Sequence, residues 1–237
     1  MRRVPDTGVV ALNHVGVSVA DLARARAFWI DELGALDHGG FGWPVGTAPA
    51  DESLATEGTS AEVALLRTDA AFLELFAFAS PAPAVRPSGA PGVAALVWAV
   101  RDGRRGRVHC PDGTPVELVA AGEGPAGLVG VTVRVPDPGV RTWPAVPGPV
   151  AVTVVGGADA DPARPVDLGV NHLCLDVAGI ADVRRGMQDV RWHHDVTESS
   201  GGIAAVCYGT TADGVLVELL ESRSPEAFLS RCRLAYE

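Results

Sequence analysis

The chain has 237 residues, 47% of them hydrophobic, a net charge of −10 and a pI of about 5.0. That length holds one large domain or two small ones with a sizeable core, and the acidic balance argues against nucleic-acid or anionic-membrane partners. No apolar run reaches transmembrane length, residues 1–6 lack an apolar signal core, and Cys110, Cys174, Cys207 and Cys232 are scattered without a Cys-x-x-Cys motif; the expectation is a cytoplasmic protein with reduced, mostly buried thiols.

Residues 11–19 alternate, with Val15, Val17 and Val19 on one face and His14, Gly16 and Ser18 on the other, which predicts a strand with two different faces. Asp21 is placed as an N-cap. Leu22, Ala25, Phe28, Trp29 and Leu33 follow at helical spacing, and Gly34 stands where a C′ glycine belongs. The glycines of residues 35–60 predict a loop or irregular strand, with strands at 61–67 and 71–78. Residues 80–92 are a Pro/Ser/Gly-rich linker. A second unit opens with a strand at Val93–Val100. Its helix is reduced to an Arg-rich turn at 101–107, and a hairpin follows through Pro111-Asp112-Gly113-Thr114 into Pro115–Val119, which carries Glu117. After a linker at 121–127, a third unit has strands at Leu128–Val135 and 150–155 and no helix between them. A flexible stretch at 156–165 leads to a full-length fourth unit. It comprises a strand at 170–177, a helix from Ile180 to Val190, strands near 203–208 and 214–220, and a C-terminal helix from about Pro225.

The first and fourth units repeat each other. Asn13-His14 and Asn171-His172 each open an alternating strand. Later in each unit one carboxylate sits among hydrophobes, Glu74 in Phe72-Leu73-Glu74-Leu75-Phe76 and Glu218 in Leu216-Val217-Glu218-Leu219-Leu220. Taken singly, such a His is a hydrogen-bonded core residue and such a Glu faces solvent. Recurrence at matching positions, with apolar flanks, points instead to four buried, charge-neutralised metal ligands. Glu117 alone reads as a relic. His193-His194 read as a solvated loop, with the site mouth or a second metal contact as the alternative. Phe41-Gly42-Trp43-Pro44 is either a lid over an apolar substrate or a sheet-edge packing element.

These motifs, with Asp21-Leu22, Phe28-Trp29 and the Asp-Gly hairpins before Glu117 and Glu218, resemble the vicinal oxygen chelate superfamily, which includes glyoxalase I, methylmalonyl-CoA epimerase, extradiol dioxygenases and antibiotic-binding relatives. The resemblance implies an α+β fold of four βαβββ-type modules, two of them trimmed, forming two cupped mixed sheets. It divides the chain into an N-terminal half at 1–122 (modules one and two) and a C-terminal half at 123–237 (modules three and four). Carried over, the ligands are His14, Glu74, His172 and Glu218. Module two has Ala95 and module three roughly Val131 where a histidine would stand. Pairing module one with four and two with three assembles one complete site and one dead site; pairing one with two and three with four splits the ligands. The complete set suits Zn, Ni, Co, Mn or Fe(II). It implies a lyase or isomerase that moves a proton next to a chelated carbonyl of a small molecule, with Glu74 or Glu218 as the catalytic base. The alternatives are a metal-dependent dioxygenase and a metal-free protein that binds an apolar antibiotic. A monomer or a homodimer is expected.

Overall fold

The computed structural model describes residues 7–139, 143–198 and 203–223. In chain order the elements are β1 (Gly8–Ser18), α1 (Leu22–Ala27), β2 (Leu36–Trp43), α2 (Ala48–Leu54), β3 (Ser60–Arg67), β4 (Phe72–Ser80), β5 (Gly92–Val100), β6 (Gly106–His109), β7 (Pro115–Ala120), β8 (Gly127–Arg134), β9 (Ala151–Val155), β10 (Gly169–Ala178), α3 (Ile180–Gly186), β11 (Val190–Trp192), β12 (Ile203–Thr211) and β13 (Leu216–Ser222). They form two mixed sheets. The larger has eight strands in the order β11-β12-β13-β10-β1-β4-β3-β2, and the smaller five in the order β6-β7-β5-β8-β9. Among the described residues no helix is long and apolar enough to cross a membrane.

The modules combine by strand pairing. β1 runs antiparallel to β10, each runs parallel to the last strand of its own module, and modules one and four thereby share the large sheet. β5 and β8 repeat that arrangement, so modules two and three share the small one. This is the pairing that gathers all four proposed ligands in one sheet. The registers also identify the positions left without ligands. Glu74 faces Gly16, two residues beyond His14; Glu218 faces Cys174, two beyond His172; Glu117 faces Val97, two beyond Ala95. In module three the equivalent of His172 is Gly130, one residue before Val131, because Gly130 lies opposite Val97 as His172 lies opposite Gly16.

The core lies between the sheets. Val15, Val17, Leu73, Leu75, Leu173 and Val217 point from the large sheet toward Leu96, Trp98, Leu128 and Val131 of the small one. Strand alternation therefore turns His14, Gly16 and Ser18 to the opposite face. Asp21 caps α1 by accepting from the Arg24 amide at 3.0 Å, as its position predicts. The helical spacing continues to Glu32, but as a π-helical turn over Phe28–Glu32. Both Asp-Gly hairpins have the same construction. Gly113 (φ 88°) and Gly214 (φ 82°) take the left-handed conformation, and their amides donate to Cys110 and Thr211 at 2.9 and 2.8 Å.

Two expectations change, and one lies outside the described residues. Residues 35–60 are mostly ordered. β2 pairs with β3 despite its glycines, through a register shift between Asp37 and Gly40, and α2 starts with Pro49 in its first turn, where proline fits. The helix after β10 stops at Gly186, short of Val190, which lies in β11. Helix formation from about Pro225, and Cys232, lie outside the described residues. Cys110, Cys174 and Cys207 are free and buried.

Candidate metal centre

The four central strands of the large sheet bring the four predicted ligands together. His14 lies on β1, Glu74 on β4, His172 on β10 and Glu218 on β13, with 2%, 6%, 1% and 3% of their surfaces exposed. His14 Nε2 is 3.1 Å from His172 Nε2. It is 3.4 Å from Glu74 Oε2 and 3.1 Å from Glu218 Oε2, and His172 Nε2 is 3.3 Å from the same Glu218 oxygen. Two carboxylates at such burial need compensating positive charge.

Neighbouring groups fix which ring nitrogens carry protons. The Ser18 hydroxyl donates to the Pro165 carbonyl at 2.9 Å, so its oxygen is left to accept from the Asn171 side-chain NH2, also at 2.9 Å. Asn171 Oδ1 therefore faces His172 Nδ1, which donates to it at 2.6 Å. Asn13 Oδ1 lies 2.9 Å from His14 Nδ1, placed to accept from it. In neutral rings both Nε2 atoms are then bare lone pairs. They confront each other at 3.1 Å. Placing a proton between them turns one ring into an imidazolium. Glu218 Oε2 lies in the same cluster, and among the described residues no donor reaches it in hydrogen-bonding geometry. Burial pushes the Glu218 carboxyl up, but a proton shared in the cluster, which makes His14 or His172 an imidazolium, outweighs it and holds the carboxyl well below the usual range. Convergent nitrogen and oxygen lone pairs, with second ring nitrogens tied to amide oxygens, are what a divalent transition metal requires. The residues present fit such an ion.

Three neighbours escaped the sequence reading. Cys174, two residues beyond His172, brings its sulfur within 4.8 Å of the ligand atoms of His14 and Glu218. Burial and then the charges of Glu218 and Glu74 push this thiol far up. Strand alternation from His172 was the available signal. Tyr208 on β12 stacks edge-on against His172, ring centroids 5.7 Å apart. Burial, Glu218 and Glu74 likewise keep its phenol neutral. Gly16 holds the position that corresponds to Cys174. A methyl group there would overlap the His172 ring and the Asn171 oxygen, so only glycine lets β10 present them this closely.

The cluster forms the floor of a cavity of about 550 Å³. Phe41, Trp43 and α2 wall it, and Trp43 is pinned by its indole N–H, which donates to Thr59 at 3.1 Å. His194 lines the mouth, whereas His193 is engaged by the Ser53 carbonyl and the Thr210 hydroxyl, each at 2.8 Å. Glu117 is exposed on the small sheet, away from the cluster. The arginine turn is structural. Arg101 pairs with Asp69 at 2.7 Å, and Arg104 donates to the Glu32 carbonyl at 2.6 Å.

The fold is shared with solved structures that include glyoxalase I. The structure matches glyoxalase I from Zea mays with a TM-score of 0.63 and 12% identity, over 96% of each chain. It matches a Bacillus subtilis protein carrying a provisional dioxygenase assignment with a TM-score of 0.64 and 12% identity, over 91% of this chain and 86% of that one. The cppA protein of Streptococcus pneumoniae matches with a TM-score of 0.57 and 10% identity, over 91% and 99%. No family model and no curated protein matches the sequence.

Proposed function

We propose that the chain is a metal-dependent enzyme of the lyase or isomerase type, with His14, Glu74, His172 and Glu218 holding one divalent ion. The observation that carries this reading is the meeting of two Nδ1-tethered imidazoles with a buried carboxylate oxygen, all within 3.4 Å of His14 Nε2. When bound, the ion supplies Lewis acidity that polarises a carbonyl oxygen.

The two glutamates divide the remaining work. Glu218 touches both imidazoles, at 3.1 and 3.3 Å, which makes it the anchor of the cluster. Glu74 touches only His14 among the imidazoles, and at 3.4 Å. It is the carboxylate freer to take a proton from the carbon beside the carbonyl and return it to a neighbouring atom. The apolar cavity wall excludes water from that transfer, and Tyr208, as a neutral phenol, adds a donor beside the cluster.

Metal analysis of the purified protein tests the assignment. About one divalent ion per chain, lost in the His14→Ala/His172→Ala variant, is expected from the four-ligand chemistry. Glu74→Gln then retains the ion and loses turnover, while Glu218→Gln loses both. A parent protein that takes up no Zn, Ni, Co, Mn or anaerobic Fe(II) sinks the enzyme reading, and full turnover by Glu74→Gln sinks its role as base.

A further inference from the structure

Above the ligand cluster the cavity is aromatic and its rim is acidic. Phe41 and Trp43 lie nearly parallel, 24° apart with centroids at 6.2 Å, and Trp43 meets Phe76 edge-on at the same separation. Glu52 on α2 and Glu198 line the mouth, both exposed. His194 joins them, with its Nδ1–H donating to the Asp195 carbonyl at 2.6 Å, which in the neutral ring leaves Nε2 as an acceptor.

The lining has one sign of charge. Among the described residues it contains Glu52, Glu74, Glu198 and Glu218 and neither lysine nor arginine. A divalent ion neutralises Glu74 and Glu218, which leaves two rim carboxylates unopposed. The net charge of −10 adds a field of the same sign. A substrate carrying phosphate or carboxylate groups outside the chelating head would enter against repulsion and find no cation to bind. Aromatic faces attract cations, and carboxylates at the rim reinforce that attraction. A volume of about 550 Å³ suits a small molecule.

We infer that this site takes an aromatic molecule, uncharged or bearing an ammonium group, whose vicinal oxygens reach the cluster while its ring lies against Trp43 and Phe76 and its polar tail faces Glu52 and Glu198. This substrate class rests on the metal reading for its chelating end only. It turns away from adducts whose handle is a thiol cofactor rich in carboxylates or phosphates.

Calorimetric titration of the zinc-loaded protein with four hydroxamic acids tests it, since all share one chelating head. Benzohydroxamic acid has an uncharged ring, its para-aminomethyl derivative a cation, its para-carboxy derivative an anion, and acetohydroxamic acid no ring. The cation is expected to bind about tenfold more tightly than the anion and every uncharged or cationic ring compound more tightly than acetohydroxamic acid, with the charge preference falling to about twofold or less in Glu52→Gln/Glu198→Gln. Equal or tighter binding of the anion, or a preference that survives in that variant, overturns the inference. The same series on chelator-stripped protein separates the two readings. A charge order that persists equally without zinc overturns the metal reading and leaves the aromatic, cation-accepting cavity standing. Zinc-dependent binding without charge order does the reverse, and no binding by any compound overturns both.

Discussion

At the residue scale, the proposed centre depends on groups outside its four proposed ligands. The path from the Pro165 carbonyl through Ser18 and Asn171 to His172 Nδ1 has one consistent direction of donation, set by a carbonyl that can only accept. It is anchored in turn by the buried Asp167, which accepts from the Arg164 and Ala84 amides at 3.0 Å and holds the loop carrying Pro165. Removing the Asn171 amide frees the ring to rotate and to carry its proton on either nitrogen. Asn171→Ala is expected to weaken metal affinity by about 10- to 100-fold, the usual cost of losing a group behind a ligand. Asn171→Asp keeps an acceptor facing Nδ1 and should retain most of the affinity. Competition against a chromophoric chelator measures both, with circular dichroism checking that the fold persists. Unchanged affinity in Asn171→Ala would show that packing alone orients His172.

At the element scale, β10 carries both a proposed ligand and a charge the fold does not favour. Asp176 is only partly exposed, and burial followed by the nearby Glu221 carboxylate raises it from an ordinary 3.8 to about 6. Glu221 cannot move aside, because it caps α3 by accepting from the Gly179 and Ile180 amides at 2.9 and 3.1 Å. A carboxyl that is harder to ionise when folded lowers stability above its folded value, and that loss is relieved as pH falls through about 6 toward 4. Asp176→Asn should therefore stabilise the protein at pH near 8 by about 1 kcal/mol after allowance for solvent screening, with the gain gone below about pH 4. Thermal melts of both proteins at the two pH values decide it, and an equal gain at both removes ionisation as the cause. The alternation that turns His172 and Cys174 to one face was legible in this strand, as was the matching alternation in β1. The Asn-His dipeptides and the Asp-Gly turns were legible for the same reason: each is set by local chain geometry. β2 was legible only as one of two alternatives, a loop or an irregular strand, because Gly39, Gly40 and Gly42 remove the side-chain pattern by which a strand is recognised and its pairing is supplied by β3. Tyr208 went unread because its relevance depends on which strands become neighbours, which no local spacing reveals; Cys174 was within reach of the alternation from His172 and was missed.

At the scale of the whole molecule, the small sheet holds none of the four proposed ligands and packs against the sheet that does. Trp98 on β5 reaches across the core to Trp29, with ring centroids 4.8 Å apart, and its indole N–H donates to the Leu33 carbonyl at 2.9 Å. Both tryptophans are fully buried. The trimmed modules thus keep what packing needs, an apolar face and one polar anchor, while Ala95 and Gly130 stand where ligands would be. A shared core predicts that the two sheets unfold together. Trp98→Ala should cost about 3–5 kcal/mol through the cavity it leaves, together with the unpaired Leu33 carbonyl. Because the ligands lie on the opposite face of the large sheet, metal affinity of the folded variant should stay close to that of the parent. Urea titrations with and without zinc separate these effects. The variant should show one transition at lower urea, and a saturating ion should raise both midpoints by similar free energies, since it binds the same folded state. Two transitions in the variant, with zinc shifting only one, would mean that the sheets are independent and that the small one does not support the metal centre.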